Sequence, residues 1–230
     1  MSNPTKQRLK SIGLTAASIA IVLGTQFLLY LLIFHPYLLG LRATAEENNM
    51  AMPGDRFAES ISCTRSIDIC RPAATVWEYC AALGADRNGF YSYDFLERLY
   101  GCEFAESPSA DKKELKVGQR ISLDSSAGGD DGFEILEVEQ GRSMVLAGWG
   151  AFLVMDNCDG TSRICVRTHE KVSASPLDWL FGKVFDAAHY VMERRMMLGI
   201  KDLAESNGDY THSKDIIWLL SIFLSGIGGL

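Results

Sequence analysis

A few polar side chains in this sequence could bind a ligand or take part in acid–base chemistry. Tyr91, Tyr93 and Asp94 lie close together, a spacing that suits either an acid–base site or the capping and packing of a short helix. Arg65 is either at a strand end, where it reaches solvent, or aimed into a cavity. Arg195 could anchor a carboxylate or phosphate headgroup, or it is a surface arginine paired with Glu193 or Asp202. No nucleophile elbow, HExxH motif, phosphate loop or dinucleotide glycine pattern occurs. The motifs therefore demonstrate no enzyme, and we assign no catalytic residue and no cofactor.

Metal and disulfide chemistry are not indicated either. The acidic loop at residues 124–132 (DSSAGGDDG) has the spacing of neither an EF-hand nor a glycine-rich repeat, so we expect a solvated loop and no metal site. None of the six cysteines forms a CxxC pair, and a domain of this size does not need disulfides. His169 alternates with apolar neighbours, and we expect it to face solvent.

Apolar residues at strand and helix spacing predict a shared interior between a sheet and a long helix. The helix, residues 176 to about 206, has a broad apolar stripe at spacings of three and four. This interior could be a preformed cavity or simply a filled core. The residues that would line it are Trp77, Trp149, Leu153, Phe181, Phe185 and Met192.

The remaining elements predict an α+β domain. A strand at residues 61–70 precedes helices at about 72–83 and 93–100. Strands then follow at residues 117–123, 132–139, 143–149, 151–157 and 161–171, with Asp159-Gly160 as a hairpin turn. An antiparallel sheet with one apolar face can curl around the long final helix, and this is the arrangement we expect.

Both ends of the chain are apolar. Residues 11–34 contain no charge and would form a helix of roughly 36 Å, long enough to cross a bilayer of about 30 Å. A cleaved signal peptide is the alternative, since Ala43-Thr44-Ala45 matches a cleavage pattern, but the apolar run is long for a signal and ends well before it. Basic residues precede the run, which predicts a cytoplasmic amino terminus and an extracytoplasmic domain at the cell (inner) membrane.

The second apolar run, residues 216–230, is short for a span. It could form a short membrane helix, which we favour, or lie in the interface or against the domain. The expected organisation is therefore a tail and transmembrane helix (1–42), a linker (43–60), the domain (61–206), a second linker (207–215) and the apolar segment (216–230).

The charge distribution excludes one class of partner. The chain carries a net charge of −7, and residues 1–42 contribute four positive charges (Lys6, Arg8, Lys10 and Arg42) and no acids, so the remainder carries −7 − 4 = −11. An acidic domain is a poor nucleic-acid binder, and anionic headgroups repel it. We expect no nucleic-acid partner and a domain held at the membrane by its apolar ends.

Three phrases carry a family resemblance. They are residues 67–77 (IDICRPAATVW), 89–97 (GFYSYDFLE) and 193–201 (ERRMMLGIK), within a region of about residues 52–205. With the order of elements, they resemble the START-like, polyketide cyclase/dehydrase (SRPBCC) superfamily, in particular a membrane-anchored bacterial branch. Arg71 and Phe90 stand where related sequences often have Ala and Trp. The resemblance implies a helix-grip fold with a deep apolar cavity.

The resemblance does not imply one chemistry, so three functions stay open. The leading one is a membrane-tethered binder or carrier of a hydrophobic small molecule, such as a lipid, quinone, isoprenoid or polyketide-like compound. Its ligand-binding residues would be the interior set above, with Tyr91, Tyr93 and Arg195. The second is an accessory or structural subunit of a larger membrane complex, and the third is a cyclase- or dehydratase-type enzyme.

Overall fold

The computed structural model describes residues 4–35, 43–93, 98, 114–124 and 131–206. Its helices are α1 (Pro4–Leu29), extended by a π-helical turn (Tyr30–Phe34), α2 (Ala45–Asn49), α3 (Ala73–Ala81) and α4 (Pro176–Glu205). Its strands are β1 (Ser60–Ile69), β2 (Arg120–Ser122), β3 (Gly132–Glu139), β4 (Ser143–Leu146), β5 (Gly150–Asp156) and β6 (Ser162–Glu170). Most of the predicted helix at 93–100, and all of the predicted membrane segment at 216–230, lie outside the described residues.

The strands form one antiparallel sheet in the order β1-β6-β5-β4-β3-β2. β2 and β4 fall furthest short of their predicted lengths, because glycines in left-handed conformations bend the backbone out of the ladder. Gly118 (φ 83°) lies in the turn before β2, and Gly148 (φ 79°) lies in the turn after β4. The α+β prediction, with a long last helix, is confirmed.

α4 begins where its sequence predicts. The Ser175 hydroxyl accepts a hydrogen bond from the Asp178 amide, and Pro176 occupies the first turn, where its missing N–H removes no helical bond.

One face of the sheet packs against α3 and the second half of α4. This interior includes Val76 and Trp77 from α3, Met196 and Ile200 from α4, and Phe152 and Val154 from β5.

The other face of the sheet is also covered. Val145, Ala151, Leu153 and Cys165 form a second cluster there with Met52, which precedes β1. Leu153 was predicted to lie in the interior next to α4, and this prediction is wrong. β5 is apolar on both faces, so strict alternation does not reveal which residues point which way, and Phe152 and Val154 occupy the α4 side instead.

Residues 43–57, which the sequence analysis treats as part of a linker, lie on this second face through charged contacts. Arg167 is 1% exposed and donates hydrogen bonds to the Asp55 carboxylate and to the backbone carbonyls of Glu47 and Met50. Arg163 binds the Glu47 carboxylate and the Ser66 hydroxyl. The buried Arg167 and the half-buried Arg163 thus fix residues 43–57 onto the sheet.

The N-terminal helix contains a 23-residue stretch, Ser11–Ile33, that is long and apolar enough to cross a membrane. Its large side chains, such as Ile12, Val22 and Leu32, are exposed. The end of this segment touches α4: the Tyr30 hydroxyl donates to the Lys183 carbonyl at 2.6 Å, and His35 Nε2 lies 2.7 Å from an Asp186 carboxylate oxygen. The membrane-type segment therefore ends against the first half of α4.

The cysteines of the described residues are free thiols. Cys63, Cys80 and Cys165 are buried, whereas Cys70 and Cys158 are exposed. Cys102 lies outside the described residues. Burial raises the pKa of the Cys63 thiol to about 11 and that of Cys80 to about 12, so both are protonated packing groups at neutral pH.

Candidate ligand cavity

A cavity of about 550 Å³ lies between the middle of α4 and the sheet, close to where α1 meets α4. Its apolar wall comes from three aromatic residues of loops and strands and from the inner side of α4. The lining side chains used below are Phe90, Phe133, Trp149, Phe185, His189 and Met192.

Trp149 is the centre of the aromatic wall. Its ring meets those of Phe133, Phe152 and Phe90 at centroid distances of 5.1, 5.3 and 6.2 Å. The turn between β4 and β5 brings Trp149 to this side of the sheet, because Gly150 (φ 138°) separates it from the regular strand. The contacts with Phe133 and Phe152 are edge to face, and packing of this kind orients aromatic rings and restricts their motion.

A carboxylate lies directly behind this wall. Glu193 is fully buried and accepts hydrogen bonds from Arg65, from the Trp149 indole N–H at 2.9 Å and from the Thr168 hydroxyl at 3.3 Å. His189 Nε2, one helical turn earlier, lies 3.3 Å from the same carboxylate. We call Arg65, Trp149, Thr168, His189 and Glu193 the Glu193 cluster.

The charges of the Glu193 cluster are balanced. Burial alone raises the pKa of Glu193, but Arg65, His189 and the indole N–H outweigh it and hold the pKa below its ordinary value. The positive charge of Arg65 is stabilised as well, because its guanidinium lies over the Tyr190 ring, 5.3 Å from the ring centroid. The cluster therefore contains an ionised carboxylate and a guanidinium. Its other three residues, Trp149, Thr168 and His189, line the cavity.

Polar groups also surround the cavity near α1. His169 lines it, and its side chain is only 9% exposed, so the expectation that it faces solvent is wrong. Burial lowers the pKa of this imidazole despite Asp55, which lies 4.0 Å away. Asp186 lines the cavity as well and binds both His35 and Lys183.

Of the predicted ligand-binding residues, the structure brings Trp149, Phe185 and Met192 together in the cavity lining. Trp77 is buried in the interior next to α3 and does not line the cavity. Phe181 is 65% exposed on α4 and does not line it either. Leu153 lies on the opposite face of the sheet, for the reason given above.

The predicted polar residues do not reach the cavity lining. Tyr91 adopts a left-handed conformation (φ 56°), and its backbone lies so close to Gly199 of α4 that a Cβ there would collide with it. Tyr93 is buried. This loop lines the cavity with Phe90 and with Ser92, whose hydroxyl donates a hydrogen bond to the Met192 carbonyl. Arg195 is 1% exposed and lies 4.0 Å from Asp202, so it is a buried residue and not an anchor at a cavity mouth. Asp94 lies outside the described residues.

His189 and Glu193 were not among the residues predicted for the site, because the apolar stripe of α4 drew attention to its apolar positions alone. A signal was present: Phe185, His189 and Glu193 follow one another at intervals of four, which places them on one helical face. Arg65 was noted on the apolar side of β1, but its partner lies 128 positions away, beyond any local pattern. Arg65 is thus a buried charge with a partner and not a solvent-reaching one. Within the described residues, no group of three or more metal-ligating side chains occurs.

Comparisons with known proteins add little to this geometry. No family model and no curated protein matches the chain. Among solved structures, it is similar to the crystal structure of the protein SSP2350 from Staphylococcus saprophyticus, a structural genomics target. That match has 15% sequence identity and a TM-score of 0.38, and it covers 64% of this chain and 94% of that chain. Similarity this distant assigns neither a family nor an activity.

Proposed function

We propose that this protein is a membrane-tethered binding or carrier protein for a hydrophobic small molecule, such as a lipid, quinone, isoprenoid or polyketide-like compound. One observation carries the proposal: an aromatic-lined cavity of about 550 Å³ lies beside the end of the membrane-type helix. Ligand sites for drug-sized molecules have about 300–1,000 Å³ and a mostly apolar lining with a few polar groups. This cavity has both properties.

The surface around the cavity supports a route from the bilayer. The first turns of α4 expose a set of large apolar side chains that a water-facing helix would not carry. They are Leu177, Trp179, Leu180, Phe181, Val184 and Phe185. Phe185 belongs to this set and also lines the cavity, so the exposed patch is continuous with the lining. We infer that this patch lies in the membrane interface and that an apolar ligand enters along it.

The contact between α1 and α4 determines where this patch lies relative to the bilayer surface. Tyr30 and His35, at the end of the apolar segment, contact Lys183 and Asp186 in the second and third turns of α4. The bilayer surface therefore lies near those turns if α1 spans the membrane. We place the amino terminus in the cytoplasm and the domain outside, at the inner membrane, with residues 216–230 as a second, short membrane helix.

The fold proposal follows the same observations. A six-stranded antiparallel sheet, with α3 and a 30-residue α4 on one face, has the element order of a helix-grip domain. The three phrases at residues 67–77, 89–97 and 193–201 make the SRPBCC superfamily our proposal for its origin. α4 would then serve both as the helix that the sheet holds and as the wall of the cavity.

The test is to extract the full chain in a mild detergent and to identify bound small molecules and proteins by native mass spectrometry. We expect an apolar compound bound at one per chain. An Ala188→Trp variant, which places an indole in the cavity lining, should lose this compound. Ala187→Trp is the matched control, because the neighbouring Ala187 does not line the cavity.

Two results would contradict the proposal. One is a wild-type protein that carries no small molecule and takes none up from added lipid, quinone and isoprenoid. The other is equal retention by both tryptophan variants. Stoichiometric co-purification of other membrane proteins with an empty cavity would instead favour the accessory subunit of a larger complex, for which the exposed α4 patch is a suitable docking surface.

A further inference from the structure

The Glu193 cluster determines which nitrogen of His189 carries a proton. Glu193 is ionised and can only accept hydrogen bonds, and its carboxylate lies 3.3 Å from His189 Nε2. In the neutral imidazole the proton is therefore on Nε2, and Nδ1 is an acceptor. A carboxylate that fixes a histidine tautomer in this way is a common arrangement at functional sites.

The His189 ring is held in place on several sides. Phe185 stacks on it with a centroid distance of 5.8 Å and an interplanar angle of 23°, and Trp149 meets it edge to face at 5.8 Å. Within the described part of the chain, Nδ1 has no hydrogen-bond partner, although the ring lines the cavity. The cavity lining thus includes a ring whose Nδ1 is an acceptor, and the natural complement of such an acceptor is a ligand hydroxyl.

The charges near the cavity argue against an anionic ligand. Among its described lining residues, four are acids (Asp124, Asp131, Glu170 and Asp186) and one is a lysine (Lys171), and a second lysine, Lys183, pairs with Glu170 and Asp186. Acids therefore outnumber lysines here by four to two. Arg65, the buried cation of the Glu193 cluster, is already neutralised by Glu193. A carboxylate or phosphate headgroup would be repelled here, whereas a neutral hydroxyl would not.

We propose that His189 Nδ1 accepts a hydrogen bond from the hydroxyl group of a neutral apolar ligand, so that the cavity selects phenols, quinols or long-chain alcohols over their ethers and over acids. Glu193 is the positioning residue, and Arg65 keeps it in place. This inference rests on the proposed binding function and names its ligand class.

The experiment uses two probes that differ only at the hydroxyl, 4-nonylphenol and its methyl ether. The full chain in detergent is offered an equal mixture, and native mass spectrometry gives the ratio of the two bound forms. We expect wild type to prefer the phenol by about tenfold, the effect of one neutral hydrogen bond. His189→Leu should bind both probes equally.

Two further variants separate recognition from folding. His189→Gln keeps an amide donor for Glu193 and an oxygen acceptor, so it should retain part of the preference even if the leucine variant fails to fold. Ala187→Trp, at a position on α4 that does not line the cavity, should keep the full preference. Binding of both probes by wild type without preference would overturn this inference and leave the binding function standing. Binding of neither probe would contradict the binding function itself.

Discussion

At the scale of single residues, the buried Arg65–Glu193 pair makes the protein sensitive to the loss of either partner. Burial removes water from both charged groups, which costs free energy. Their mutual attraction offsets this desolvation cost only while both groups are present. We expect Arg65→Met to destabilise the protein by about 3–5 kcal/mol, because it leaves the Glu193 carboxylate buried without its cation. Denaturant unfolding of the full chain in detergent, followed by tryptophan fluorescence, measures the change.

The double variant Arg65→Met/Glu193→Leu tests whether the loss of stability comes from the unpaired Glu193 carboxylate. It removes both charges, so we expect it to recover a large part of the lost stability. Arg142→Met is the control, since that arginine is exposed and its pair with Glu139 should contribute under about 0.5 kcal/mol. A double variant no more stable than Arg65→Met alone would show that the pair is not the source of the loss.

Glu47 makes the free energy of unfolding depend on pH in the acid range. Burial raises the pKa of its carboxyl, but hydrogen bonds from Arg163, the Thr44 amide and Ser66 prevail and lower it from 4.5 to about 2. The folded state therefore binds this proton less readily than the unfolded state, so the stability Glu47 contributes is present above pH 4.5 and lost as pH falls towards 2. We expect wild type to lose about 1–3 kcal/mol from this group across that window.

The Glu47→Gln variant tests this dependence. Unfolding measured at several pH values should show a lower stability at neutral pH and a flatter slope between pH 4.5 and 2. The exposed neighbour supplies the control, because Glu46→Gln should leave the wild-type slope unchanged. The same slope in all three proteins would count against the assigned role of Glu47.

At the scale of elements, Gly150 connects the aromatic wall to the sheet. Its φ of 138° is reserved for glycine, and a Cβ would collide with the Arg167 carbonyl of β6. We expect Gly150→Ala to cost about 3–4 kcal/mol, from backbone strain and overpacking together. Gly160→Ala in the β5–β6 turn also has a positive φ but meets no atom within 4 Å, so it should cost only about 1–2 kcal/mol. Equal thermal stabilities of the two variants would refute this difference.

The positions of these helices and strands could be predicted from the sequence, because each element has a strong local sequence pattern. β3 was predicted at its observed bounds, and α4 begins at the predicted proline. The faces of β5 were not readable, since Phe152 and Leu153 are both apolar and both buried. Only the non-local cover formed by residues 43–57 explains why Leu153 needs burial, and that cover depends on arginines more than 100 positions later.

At the scale of the whole molecule, the cavity and the membrane-type helix meet at one place. Asp186 lines the cavity and binds His35 at the end of the apolar segment, so one residue belongs to both the site and the anchor. The sequence predicted an apolar interior and an apolar helix separately, because each has its own pattern. Their juxtaposition depends on contacts across about 150 positions, which no periodicity encodes.

The side of the membrane on which the domain lies can be tested with its own thiols. Cys70 and Cys158 are exposed, whereas Cys63, Cys80 and Cys165 are buried and should react slowly. In a Cys102→Ser background, we expect a membrane-impermeant maleimide to label the full chain in intact spheroplasts, because basic residues before the apolar segment keep the amino terminus in the cytoplasm. Adding Cys70→Ser and Cys158→Ser should abolish that label. Labelling that appears only after the membrane is permeabilised would reverse the orientation and place the cavity on the cytoplasmic side.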